Sequence, residues 1–346
     1  MSVRRDEVIL QNQEGSPPAL PLVEKKPVPW IRLLLALALS LLGLWYVTRN
    51  VSAAELQAAI GSAHPLYILL GLLVFVTTTV AKTWRWRLLY HPQENPPRFP
   101  PLFWAVNLGQ LVNMAVPFLR LGELARVYYL GHHTGESKVK ALGTLVVEKA
   151  LELISLAFLL FVLLPFFVLP DLVADSGLSG AIIAVVALFL LMLVARRTAL
   201  VRRVALLFLR LLPERWQVRF VPWLDSGLEG LGALRSGRVS LNLLGSTLVI
   251  TVLSVATPYV LFSAFDIPLD LKHAAAVHIA LTVGALPPST PARIGVFEGI
   301  VTFMLVTFDV GDGALRLAYA LVFHLVIVLP QLLLGGFALM RRQRHG

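Results

Sequence analysis

Apolar runs of near-membrane-spanning length alternate with short polar or basic segments along most of this chain, at about Trp30–Val47, Pro65–Val80, Val139–Leu169, Leu178–Val194, Leu241–Phe265 and Ala314–Leu339. A helix crosses a bilayer with about 20 mostly apolar residues, so the pattern predicts six full spans. The run from Val139 to Leu169 exceeds one perpendicular crossing, which predicts a tilted helix or one kinked at Pro165. Two further apolar runs, 100–118 and 273–287, stop at prolines part-way through. The first leads into NMAVPFLRLGELAR (113–126) and the second into PPSTPARIGVFEG (287–299). Both read proline, arginine, glycine, glutamate. Broken backbone survives at membrane depth only under a cover of protein or beside a water-filled cavity. Each run therefore predicts a re-entrant helix pair, the second continuing as a short helix from Pro291 to about Val310. The fold expected is all-α and polytopic, with six full spans plus two proline-broken re-entrant helix pairs in an inverted repeat.

The remaining segments fit that frame. Residues 1–28 are polar, proline-rich and aperiodic, and read as a disordered cytoplasmic tail. The first apolar run begins too late for a cleaved signal peptide and reads as an uncleaved helix. Residues 29–341 form one integral membrane domain, and 342–346 a basic cytoplasmic end. The 196–219 segment carries Arg196, Arg197, Arg202, Arg203 and Arg210 with apolar residues at helical spacing, as in a helix lying on the membrane. Lys82, Arg85 and Arg87 interleave with Trp84 and Trp86 and read as an interfacial anchor. Such a mix also suits single-stranded nucleic acid, but its place directly after a span favours the membrane.

Composition agrees: 57% hydrophobic and 14% charged residues is far from the roughly 25% charged of soluble domains. The net charge of +10 sits in segments flanking apolar runs, so it marks topology and lipid headgroups rather than nucleic acid. Loops 50–64 and 170–177 lack Lys and Arg and should face outward, leaving both termini on the cytoplasmic side of the inner membrane. No cysteine is present, which removes disulfides, thiolate metal sites and a cysteine nucleophile.

The charges inside apolar segments are the candidate chemistry. Ser289 or Thr290 can cap a helix with Pro291 at its first position, and the free N–H groups there would attract an anion beside Arg293. Arg120 and Arg126 could act likewise from the other break; the alternative is that these arginines snorkel to headgroups. Glu148 and Glu152 share one helix face, with Lys149 placed to pair with Glu152. Glu148 could neutralise Arg120 or Arg126, carry a coupling proton, or hold helices together as a structural ion pair. Glu123 and Glu298 sit one in each broken segment. His324, alone in the last span, reads as a helix–helix hydrogen bond rather than a proton relay. No catalytic or metal motif is found, so no catalytic residue, metal or cofactor is assigned.

With these residues in view, the chain resembles the lysylphosphatidylglycerol synthase transmembrane-region family, also called flippase-like, over roughly residues 30–340. The likeness rests on Asn113, Pro117, Arg120, Gly122, Glu123 and Arg126, then Glu148, then Pro288, Pro291, Arg293, Gly295 and Glu298. One departure is Ala292, where the family pattern usually has glycine. The resemblance implies handling or flipping of a polar lipid, anionic or aminoacylated. In bifunctional relatives a soluble domain aminoacylates phosphatidylglycerol, and its absence from this sequence disfavours that activity. An enzyme or a non-transporting accessory subunit in glycosyl- or isoprenoid-lipid synthesis is the alternative. Membrane lipids are the expected partners. A lipid-modifying enzyme and a homodimer are both compatible with the sequence, and neither is shown by it.

Overall fold

The computed structural model describes residues 51–90, 96–116, 121–168, 237–284 and 290–344, with Arg203 and a few positions between 38 and 49. The expected tail (1–28), the span at Leu178–Val194 and the amphipathic 196–219 segment lie outside the described residues. So do Pro117, Arg120, Pro287, Pro288 and Ser289.

Helix is the regular structure of the described residues, with no strand among them. A short helix, α1 (Ala53–Gly61), opens with a Ser52–Glu55 capping box that satisfies two backbone donors. Pro65 then starts α2 (Pro65–Leu88) at a position that needs no donor. The first broken pair is α3 (Phe99–Ala115) and α4 (Gly122–Thr134), which ends on left-handed Gly135. Next come α5 (Lys138–Val168) and α6 (Gly237–Ala264). The second broken pair is α7 (Leu271–Gly284) and α8 (Val296–Thr307), and α9 (Gly313–Arg344) closes the fold.

Among the described residues, three helices are long and apolar enough to cross a membrane: α2, α6 and the Gly313–Arg341 part of α9. At about 1.5 Å per residue, α5 is longer than a hydrocarbon core of about 30 Å, while α4, α7 and α8 are each shorter than it. Helix–break–helix geometry thus occurs at both sequence breaks, and α5 remains helical past Pro165.

Two boundaries differ from expectation. The helix of the second span does not end at about Val80 but runs on to Leu88, with Arg85 and Arg87 in its last turn, and Arg85 and Trp86 are buried there instead of facing an interface. The helix expected from Pro291 begins only at Val296. Residues Pro291–Arg293 form a single 3-10 turn, in which Ala292 and Arg293 both take left-handed backbone angles (φ 52° and 59°).

Two apolar cores result. One joins the C-terminal part of α6 to α7, α8 and the first half of α9, around Phe262, Tyr319 and Leu305. The other joins the end of α2 to α3, α4 and the start of α5 and α6, around Trp86, Leu102 and Leu243. Polar residues occupy the level between them. On α6, Ile250 to Thr257 lie between Leu243 of one core and Leu261 of the other, and on α9, Phe323 to Gln331 lie between Tyr319 and Ala338.

Candidate functional site

Between the two cores lies a cavity of about 460 Å³, reached by α2, α3, α5, α6, α7, α8, α9 and the Pro291–Arg293 turn. Hydroxyls and amides line much of it, including Thr78, Gln110, Asn113, Ser155, Thr251 and Gln331. Its ionisable lining comes from Lys82, Arg85, Lys149, Glu152, Arg293 and the two histidines His278 and His324. Pro258 on α6 lacks an N–H, so the carbonyl of Ser254, which lines the cavity, has no donor one turn ahead in its own helix.

A chain of alternating charges forms one wall. Arg126 of α4 makes a two-pronged contact with Glu148 of α5, at 3.1 and 2.9 Å. Its guanidinium also lies 4.2 Å from the centre of the Trp86 ring, in cation–π geometry. Arg85 of α2 lies 3.8 Å from Glu148 and 3.2 Å from Glu152. Lys149 continues the chain to Glu152 at 2.9 Å and to Glu123 at 3.5 Å. Asn113 completes it, its amide donating to Glu123 while its carbonyl oxygen accepts from the Gly122 N–H.

The sequence pairings Lys149–Glu152 and Glu148–Arg126 are therefore both formed. Arg126 does not snorkel: it is 8% exposed and paired, and Glu148 is 2% exposed. Charges at this depth persist because each is matched and hydrogen-bonded. Gly122 is required for the crossing, since a Cβ there would overlap the Gly109 carbonyl and the Asn113 side chain.

Sequence reading missed Arg85. At 1% exposed it is among the largest fully buried side chains, and it spans the two α5 carboxylates. The available signal was spacing: Thr78, Lys82 and Arg85 recur at helical intervals and share one face with the cavity. Lys82 differs from its neighbours in lacking a partner. Among the described residues it makes no hydrogen bond or ion pair, and Glu152 attracts it only at longer range.

The opposite wall is the second broken segment. Its anion site was expected at a helix start on Pro291, but Thr290 donates its hydroxyl to the Ile294 carbonyl and caps nothing. The helix starts at Val296, where the chain's own Glu298 accepts the Gly295 N–H at 2.7 Å. That helix N-terminus is thus occupied from within. Gly295 has φ 84°, and a Cβ there would also overlap the carbonyl of Ser40, which precedes α1.

His324 of α9 ties this turn down. One ring nitrogen, Nδ1, lies 2.6 Å from Glu298 Oε1, and Nε2 lies 2.7 Å from the Ala292 carbonyl. A carbonyl can only accept, so Nε2 carries a proton, and the contact with Glu298 needs a second proton between nitrogen and carboxyl. Phe297 stacks on the ring at 4.4 Å. His324 is the helix–helix contact its sequence position implied, with more partners than expected.

Of the predicted site residues, the structure places Asn113, Glu152 and Arg293 on the cavity. It puts Gly122, Glu123, Arg126 and Glu148 in the wall behind it, and Pro291, Gly295 and Glu298 in the turn. No cluster of three or more metal-ligating side chains occurs among the described residues.

Apolar helices long enough to cross a membrane, with a cavity lined by polar residues between two apolar cores, define an integral membrane protein. Comparison with known proteins places it more narrowly. Residues 33–335 match the family described as Lysylphosphatidylglycerol synthase TM region, and the chain belongs to that family. It is also similar to a UPF0104 membrane protein of Methanothermobacter thermautotrophicus, 24% identical over 264 residues, covering 72% of this chain and 78% of the relative.

Proposed function

We propose that the protein binds the headgroup of a polar lipid in the central cavity and moves that lipid between the leaflets of the cytoplasmic membrane. The observation that carries this reading is Lys82, a basic side chain with no hydrogen bond or ion pair among the described residues, in a cavity rich in hydroxyls and amides between two apolar cores. A cation held at such depth calls for an anion, and a phosphodiester supplies one. Arg293 reaches the same cavity from the opposite wall, and Glu152 adds a negative group that suits the ammonium of an aminoacylated headgroup. Membership of a family described by a lipid synthase's membrane region supports a lipid over a soluble solute.

On this reading the two broken helix pairs form an inverted repeat with the cavity at its interface, as in other repeat-built transporters. The basic flanks orient both termini to the cytoplasm. The bidentate Arg126–Glu148 pair serves the wall, while Lys82 and Arg293 meet the ligand.

The test is translocation in proteoliposomes, with fluorescent phosphatidylglycerol in the bilayer and outer-leaflet label quenched by an impermeant reductant. Wild type should expose more than half of the label to quenching and Lys82→Ala should not. Equal quenching by wild type and empty liposomes, with lipid still bound, would assign the protein to an accessory or enzymatic role instead.

A further inference from the structure

The polar cavity has an apolar neighbour. A groove of about 650 Å³ runs between α5, α7 and α8, lined by Leu160, Ile279, Ala280, Val283, Phe303 and Met304 among others, and its described lining residues are all apolar. Gly284 and Ile300 line both this groove and the polar cavity. At the shared edge Ile300 sits directly over Gly284, close enough that a Cβ on the glycine would overlap its side chain. The partition between polar and apolar compartments is therefore one side chain thick. Leu160, Val283 and Phe303 are about half exposed, so the groove opens outward from the bundle.

We infer that the groove holds one hydrocarbon chain of the lipid whose headgroup occupies the cavity, with Gly284 and Ile300 marking the junction between headgroup and tail. This rests on the headgroup reading above and extends it to a bipartite site. The occupant follows from continuity: a ligand filling both compartments must be charged and hydroxyl-matched at one end and purely apolar at the other. A protein helix or a second copy of this chain could fill the groove, but neither would also supply a small anion to the adjoining polar cavity. An amphiphile with a narrow glycerol or phosphate neck suits a boundary one side chain thick. Because Gly284 ends α7 at one of the helix breaks, the junction lies where the backbone is interrupted.

A carbene generated from a diazirine inserts into C–H bonds, so the apolar lining of the groove can be labelled directly. Phosphatidylglycerol carrying a diazirine in one acyl chain would be placed at low fraction in phosphatidylcholine vesicles with the full chain. After irradiation, adducts would be located by mass spectrometry. Adducts are expected at 276–283 and 300–304, competed away by unlabelled phosphatidylglycerol and reduced at least fivefold by Lys82→Gln, a residue outside the groove. Exposed Leu332, Leu333 and Phe337 of α9 report surrounding lipid, whose labelling should not compete. Ala280→Phe, which fills the groove, should lower the competable adducts while the protein still unfolds at the wild-type temperature. Groove labelling that resists competition as α9 labelling does, or a groove left unlabelled, would overturn the inference. If Lys82→Gln weakens phosphatidylglycerol retention but leaves groove labelling unchanged, this inference fails and the headgroup reading stands. If the variant changes neither, both fail.

Discussion

The two broken helix pairs stabilise similar interruptions by different chemistry. At the first, permanent charges alternate through the wall, Arg126–Glu148–Arg85–Glu152–Lys149–Glu123, three of each sign. At the second, a histidine and a glutamate share a proton, and left-handed backbone makes the turn. The first can be neutral only with every member present. The second is local, and its backbone strain is carried by Ala292 and Arg293, with Gly295 taking its positive φ without cost. Strained backbone is typical of positions that move or meet ligands, whereas a closed charge network favours a fixed wall. The contrast predicts that the charge-networked wall of α2, α4 and α5 is the stiffer side of the cavity and the 290–295 turn the more adaptable one.

The largest expected effect comes from opening the network. Glu148→Gln leaves Arg126 and Arg85 short of a buried partner, which costs about 3–5 kcal/mol. Thermal unfolding in detergent should show a large drop, and an unchanged midpoint would show that the network is not structural. Glycine replacements separate the two breaks next. Gly122→Ala overlaps backbone at a helix crossing, an overpacking cost of about 2 kcal/mol. Gly295→Ala adds left-handed strain to a similar overlap and should cost about 1 kcal/mol more. The reverse order of unfolding temperatures would place the tighter constraint at the first break.

His324→Ala leaves Glu298 and the Ala292 carbonyl each without that partner, at about 1–3 kcal/mol. The loss should concentrate in hydrogen exchange of residues 290–298 and spare α4. Spread evenly across both breaks, it would deny the second segment its independence. The smallest effect is a gain. Ala292→Gly relieves a left-handed alanine at the cost of chain entropy, for a net of about 0.5 kcal/mol in favour of the fold. A fall in the unfolding midpoint would mean the alanine side chain packs more usefully than its backbone suggests.

Much of this was legible in the chain. Prolines inside apolar runs located both breaks, and spacing of three and four along a helix gave Lys149–Glu152 and the shared face of Glu148 and Glu152. The glycine that the resemblance leads one to expect at position 292 would suit the left-handed φ found there, although this chain carries alanine. Arg85 as a buried group and Lys82 as a cavity-lining one were not legible, because interleaved tryptophan and arginine after an apolar run look the same at an interface and in a network. What decides between them is a pair of carboxylates more than sixty residues later, brought alongside by packing of α2 on α5 and α6. The start of α8 was misread for a local reason: Thr290–Pro291 is a strong helix-start signal, and left-handed angles at an alanine and an arginine have no sequence mark. They are held by His324, a tertiary contact.

The most direct test of the central claim is lipid retention by the purified protein, followed by native mass spectrometry as phosphatidylglycerol and phosphatidylcholine are titrated in turn. Wild type should retain phosphatidylglycerol in preference, and Lys82→Gln should weaken that retention about tenfold, the loss of one charge-assisted contact of about 1.4 kcal/mol, while leaving phosphatidylcholine unchanged. Equal retention of both lipids by wild type, or a preference that survives Lys82→Gln, would contradict a cavity built around an anionic headgroup.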